Sequence, residues 1–167
     1  MLLYLLRHGL AVEPGTPGFK TDAERALTPK GRRQMRKIAQ AMAEMELDFD
    51  LILASPFVRA RQTAEIVATT LKLKKRLQFS NALAVGGDPA LLFRQIERIK
   101  PLPENLLLVG HEPGLSQMMS LLLTGNTQLP VVFKKGGLCE LEINHLRLGA
   151  CATLNWILTP GQMKLMV

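Results

Sequence analysis

Short runs of consecutive apolar residues alternate along this chain with stretches in which apolar positions recur every three or four residues. The runs predict strands buried on both faces, and the periodic stretches predict amphipathic helices. Leu2 to Leu6 is the first such strand. Thr28 then reads as an N-cap with Pro29 at the first helical position, and Met35, Ile38, Ala39 and Met42 supply the buried face of a helix ending near Glu46. Asp50 to Ala54 is a second buried strand. Ser55-Pro56 repeats the cap-plus-proline signal, and Phe57, Ala60, Ala64, Val67 and Leu71 step along one helical face. Leu77 to Ser80 predicts a short third strand, Asp88-Pro89 opens a helix to about Arg98, and Leu106 to Val109 is another all-apolar strand. Gly110 to Gly114 turns into a helix through Leu123. The last quarter differs, because Val131 to Phe133, Leu138 to Ile143 and Ala150 to Leu158 are strand-like segments separated by glycine or turn residues, as hairpin pairing requires. The order of elements predicts an α/β fold with a mostly parallel sheet.

The chain has 167 residues, which suits one domain over residues 1–167. Cys139 and Cys151 lack the paired spacing of a zinc site and are expected to be buried reduced thiols. Met1 to Leu6 is too short for a signal h-region, and no stretch approaches the roughly 20 apolar residues of a membrane span, so the expectation is a cytoplasmic protein with no membrane partner. The formal charge is +7, which favours polyanionic or phosphorylated partners. Nucleic acid is one such class. It is disfavoured because aromatics are 5% of residues and none are interleaved with basic stretches as a stacking platform needs.

In an open α/β sheet, ligands collect beyond the carboxyl ends of the strands. Three strand ends here deliver Arg7-His8-Gly9, Ser55-Pro56 with Arg59 one helical turn on, and Gly110-His111. This set suits phosphoryl chemistry. A neutral imidazole whose other nitrogen is held by a hydrogen bond can attack phosphorus, so His8 is the candidate nucleophile. Arg7 and Arg59 can clamp phosphoryl oxygens with bidentate forks, and His111, if protonated, adds a further donor and positive charge. Gly9 lets the backbone approach the phosphate closely. The arrangement requires no metal or cofactor, and no carboxylate cluster suggests one.

These residues carry a resemblance. Arg7-His8-Gly9 after an N-terminal strand, Leu27-Thr28-Pro-Lys-Gly31, Ser55-Pro-Phe-Val-Arg59-Ala-Arg-Gln-Thr63 and Gly110-His111-Glu-Pro-Gly resemble, in order, the histidine phosphatase (phosphoglycerate mutase-like) superfamily, and within it the SixA-type phosphohistidine phosphatases. The resemblance implies a three-layer α/β/α sandwich with a mixed, mainly parallel sheet. It implies a transiently phosphorylated His8, with Arg7, Arg59 and His111 forming the phosphate pocket. Its implied substrate is a phosphorylated histidine-containing protein such as a phosphotransfer domain, and the default assembly is a monomer.

Other branches of that superfamily commonly carry a polar residue after Arg-His-Gly, an acid to protonate an alkoxide, and an inserted lid. Here Pro14 stands where an Asn is frequent, and Ser80 to Gly87 is eight residues, too few for a lid. An open site that admits a protein surface is the expectation. Phosphohistidine can depart as neutral imidazole, so general-acid help, about 10²- to 10⁴-fold where it operates, is less needed. Asp88 and Glu112 are the carboxylates within reach, and both also suit ordinary roles at helix starts. The alternatives are a phosphatase of a small phosphomonoester and a phosphate-binding module without catalysis.

The charge is also unevenly placed. Lys20 to Lys37 holds seven basic and two acidic residues, and Lys30, Arg32 and Arg33 fall in the first turns of a helix, where the dipole disfavours cations. A basic rim that steers an acidic phosphoprotein toward the pocket is the expectation. The run Lys72 to Arg76 suits a helix C-terminus, His145 an exposed turn, and Trp156 the core beside Leu154 and Leu158.

Overall fold

Six strands form one sheet in the order β3-β2-β4-β1-β5-β6 in the computed structural model, which describes residues 1–167. The strands are β1 (Leu2–Arg7), β2 (Leu51–Ala54), β3 (Leu77–Phe79), β4 (Asn105–Gly110), β5 (Leu138–Ile143) and β6 (Ala152–Leu158). Between them run α1 (Pro29–Glu44), α2 (Val58–Thr70), α3 (Pro89–Glu97) and α4 (Gly114–Thr124), and α5 (Pro160–Met163) closes the chain. The pairs β1–β4, β2–β4 and β2–β3 are parallel, and β5 pairs antiparallel with both β1 and β6. The sheet is therefore mixed and mainly parallel.

Strand alternation separates the core into two halves. Leu3 and Leu5 of β1 face α3 and α4 in one buried cluster, whereas Tyr4 and Leu6 face α1, α2 and α5 in the other. Helices thus cover both faces, and the three-layer α/β/α arrangement is the one observed. Burying each large apolar side chain contributes roughly 1.5–3 kcal/mol, so β1, apolar on both sides, is the axis of both cores.

Four predicted features differ. Val131 to Phe133 adds no strand and runs as irregular chain. The helix after β2 starts at Val58 with Phe57 at its N-cap and no side-chain cap, so Ser55 does not cap it. Trp156 is only half-buried and Leu154 is exposed, because β6 is an edge strand and its register with β5 shifts between Glu140 and Leu141. The basic run lies beyond α2 rather than in its last turn: Lys74–Arg76 forms a 3₁₀ turn, and Arg76 donates to Asp48 and to the Phe49 carbonyl. Cys139 and Cys151 are both free and buried, and burial pushes the Cys139 thiol up to about 12. No helix is long and apolar enough to cross a membrane.

Candidate active site

The parallel register assembles the site. Arg7 pairs with Gly110, and Ala54 pairs with Val109, so Arg7, Gly110 and Ser55 stand at one level and His8 and His111 one residue beyond. Backbone bonds fix that level, from the His8 amide to the Gly110 carbonyl (3.1 Å) and from the Ser55 amide to the Val109 carbonyl (2.9 Å). The His8 and His111 rings lie 5.1 Å apart by centroid.

His8 is 5% exposed, and both ring nitrogens have neighbours. Nδ1 is 2.7 Å from the Gly9 carbonyl oxygen, which can only accept, so Nδ1 carries the proton. Nε2 then keeps its lone pair and accepts from Arg59 Nε at 3.2 Å. Gly9 is held in turn by its own amide, which donates to Thr63 Oγ1 (3.1 Å). A Cβ on Gly9 would stand 2.6 Å from Met35 Cγ, so the chain turns past α1 only without a side chain there.

The start of α1 is locked against the same loop. Thr28 Oγ1 accepts from the Gly31 amide at 2.9 Å, the Thr28 amide donates to the Leu10 carbonyl at 3.0 Å, and a Cβ on Gly31 would fall 2.0 Å from Leu10 O. The Leu-Thr-Pro-Lys-Gly stretch is thus a docking device for the loop after His8.

Arg59 is 2% exposed. Besides Nε on His8, its Nη1 donates to the Asp22 carbonyl (2.6 Å) and its Nη2 to Asp22 Oδ2 (2.8 Å). Asp22 also accepts from Arg25 Nε and Nη2 on Oδ1. Its carboxyl lies below the usual range: burial pushes it up, and the bonds and charges of Arg25 and Arg59 outweigh that. The Asp22 contact is not legible in the sequence, because Asp22 lies fifteen residues after Arg7 in a segment without hydrophobic periodicity.

Arg7 donates through Nη1 to the Phe133 carbonyl at 2.7 Å, and its Nε is buried without a partner. The segment expected as a strand at Val131 to Phe133 instead turns back to brace this guanidinium, and the Gly136 amide donates to the Arg7 and His8 carbonyls. His111 Nε2 is 2.8 Å from Ser55 Oγ, and its Nδ1 is buried and unpartnered. Ser55 Oγ also accepts from the Phe57 amide at 3.2 Å, so it joins His111 to the turn that leads into α2 without being the N-cap residue. Phe57 packs against the His111 ring at 5.3 Å, and the Arg59 guanidinium carbon lies 5.4 Å from the Phe57 ring centre. Two buried polar nitrogens without partners, on Arg7 and His111, are what a site for a polar ligand leaves open.

Asp88 and Glu112 take their ordinary roles: Asp88 accepts from the Ala90 amide and caps α3, and Glu112 Oε1 accepts from the Ser116 amide in α4. His145 is exposed. No cluster of three or more His, Cys, Asp or Glu side chains is placed to hold a metal ion.

Burial sets the charge state of both histidines. It pushes His8 down to about 3, with the cations of Arg59 and Arg7 adding to it and the bond to Gly9 opposing it. It pushes His111 down to about 4, with Arg59 adding to it. Both rings are therefore neutral at neutral pH, and His111 carries no extra positive charge there. Histidines of the unfolded chain titrate near 6.5, so the unfolded state binds more protons between pH 6.5 and about 4. Stability is then complete above pH 6.5 and falls as pH drops through that window. At pH 5 the loss is roughly 2 kcal/mol per histidine. Urea midpoints at pH 7.5 and 5 measure it, and His111→Asn is expected to remove about half of the difference.

The sequence profile of the histidine phosphatase superfamily (branch 1) matches residues 3–83. An uncharacterized protein of Picosynechococcus sp. is 35% identical over 151 residues, covering 90% of each chain. Phosphohistidine phosphatase SixA of Escherichia coli is 25% identical over 166 residues, 99% of this chain and 98% of the relative. A solved structure of the protein histidine phosphatase SixA complexed with tungstate superposes with a TM-score of 0.83 at 25% identity, over 96% of this chain and 98% of that one. With the profile spanning the strands that deliver His8 and Arg59, and with relatives matching along nearly the whole chain, the chain belongs to the histidine phosphatase superfamily and is a phosphatase.

Proposed function

We propose that this phosphatase hydrolyses phosphohistidine on a protein substrate through a covalent phosphoryl-His8 intermediate. The observation that carries the reading is the ring of His8, with Nδ1–H fixed on the Gly9 carbonyl and an unprotonated Nε2 beside the Arg59 guanidinium. The Nε2 lone pair attacks phosphorus, the substrate's P–N bond breaks, and its imidazole leaves neutral when its other nitrogen carries a proton. Water then attacks the phosphoryl group on His8, the N–P bond to Nε2 breaks, and inorganic phosphate leaves. Arg7, Arg59 and His111 hold the equatorial oxygens, where the transition state gathers charge. The likeness to SixA, whose name states a phosphohistidine activity, supports the substrate class.

The basic rim supports a protein substrate. Lys30 and Arg33 are exposed, Arg32 is half-buried, and none of the three makes an ion pair. The helix they begin is docked on the loop after His8, which sets their field beside the pocket. One experiment tests the whole reading. Rapid quenching during turnover of a phosphorylated histidine-containing phosphotransfer domain is expected to trap acid-labile, base-stable phosphate on the enzyme. Sugar phosphates at matched concentration are expected to turn over at least about tenfold more slowly. Reversing Lys30, Arg32 and Arg33 to Glu lowers kcat/KM for the phosphoprotein at low salt, by about tenfold, and spares small substrates. A preference for the sugar phosphate overturns the substrate assignment.

A further inference from the structure

Next to the reaction centre lies a cavity of about 300 Å³ that the steps above leave unused. Leu108 of β4, Leu92 of α3 and Met118 of α4 form its floor, Val85 stands at its rim, and His111 and Glu112 are in its near wall. His111 is thus common to the cavity and to the phosphate pocket, so the cavity begins one side chain away from the reacting phosphorus.

We propose that this cavity receives a large apolar side chain of the substrate protein, adjacent in sequence to the phosphorylated histidine. The proposal rests on the phosphohistidine reading above and adds a sequence preference to it. The lining decides the chemistry. It contains no Lys or Arg, so it is not a second anion site. Its one carboxylate, Glu112, is bonded to the Ser116 amide, and beside it and His111 the only polar side chain is Gln117. A polyhydroxylated leaving group finds few partners there, whereas an apolar group removes its own surface and that of the walls from water. The volume is at the lower end for small-ligand cavities, which fits one side chain and not a helix.

The rim is held in place by the backbone. Gly86 has φ +77, and a Cβ on Gly87 would stand 2.1 Å from the Ala82 carbonyl oxygen, so both positions require glycine to fold the loop back over the 3₁₀ turn Asn81–Leu83. That fold leaves Val85 49% exposed at the mouth, an apolar surface that an incoming side chain covers. The short segment Ser80 to Gly87, too short for a lid, therefore supplies the outer wall of this cavity.

Two phosphohistidine peptides that differ only in carrying Leu or Ser beside the phosphorylated residue test the proposal. The wild-type protein is expected to favour the Leu peptide about tenfold in kcat/KM. Val85→Asp, a change at the rim, is expected to reduce that preference to less than about twofold. Met118→Phe, which fills the floor, is expected to lower the Leu peptide selectively. Equal turnover of the two peptides by the wild-type protein, or a preference that survives both substitutions, overturns the proposal. Affinities of the same peptides for the His8→Ala protein give the Leu-to-Ser ratio without any turnover. A ratio near tenfold there supports the cavity even if hydrolysis of phosphohistidine is not found, and a ratio near one, or no binding, rejects it.

Discussion

Replacing His8 with Ala is expected to lower kcat at least about 10⁴-fold with any substrate, the scale on which loss of a nucleophile is felt in enzymes that form covalent intermediates. The proposed phosphate clamp is not expected to go with it. Arg7 keeps its bond to the Phe133 carbonyl and Arg59 keeps both bonds to Asp22, so vanadate or tungstate is expected to bind the variant within about tenfold of wild type. The combination separates a nucleophile from a structural histidine, because a structural role predicts loss of oxyanion binding and of stability together. Stability itself is expected to rise at acid pH relative to wild type, since the variant no longer has to protonate a buried ring on unfolding. A variant that turns over at the wild-type rate sinks the covalent mechanism. A variant with neither turnover nor oxyanion affinity places His8 in the scaffold instead.

The parts of this site that were legible in the sequence are those that local pattern dictates. Leu2 to Leu6, Leu51 to Ala54 and Leu106 to Val109 are apolar on consecutive positions because both faces of a central parallel strand are covered. Once those three strands are located, the rule that ligands gather at their carboxyl ends points to Arg7, His8, Ser55, Arg59 and His111 without further information. What local pattern cannot show is which backbone atom or loop carboxylate a side chain meets. Phe133 contributes a carbonyl rather than a side chain, so no residue type marks it. Its segment reads as a strand because Val131, Val132 and Phe133 are β-formers, yet it packs as irregular chain bracing Arg7, a tertiary override of propensity. Ser55 before Pro56 carries the signature of a helix cap, and its hydroxyl is drawn to His111 because the register of β2 and β4 puts the two side by side. Asp22 is the largest omission, since the loop that carries it has no periodicity and its partner Arg59 is 37 residues away.

Asp22 decides which edge of the Arg59 guanidinium faces His8. A guanidinium has two forks, one formed by Nη1 and Nη2 and one by Nε and Nη2. Asp22 takes the first with its carbonyl and carboxylate oxygens, which turns the second, with Nε on His8 Nε2 and a remaining N–H on Nη2, toward the nucleophile. In the proposed mechanism that second fork receives the phosphoryl oxygens, and Asp22 is a positioning residue that touches no substrate. Arg59→Ala removes the fork and is expected to lower kcat/KM about 10²- to 10³-fold. Arg59→Lys keeps the charge and loses the planar geometry, so it is expected to recover only a small part of that loss. Asp22→Asn is expected to lower both kinetic constants, for different reasons. Removing a negative charge 2.8 Å from Arg59 strengthens the field on an anion, so vanadate affinity rises and KM falls. Releasing the fork lets the guanidinium leave its aligned position, so kcat falls by about tenfold. A contact that only stabilises the loop predicts no change in vanadate affinity, and one that competes with substrate predicts a rise in kcat/KM without loss of kcat. Unchanged kcat in Asp22→Asn rejects the positioning role, whereas a lower kcat with tighter vanadate binding is the signature of an arginine aimed at the nucleophile by a carboxylate outside the pocket.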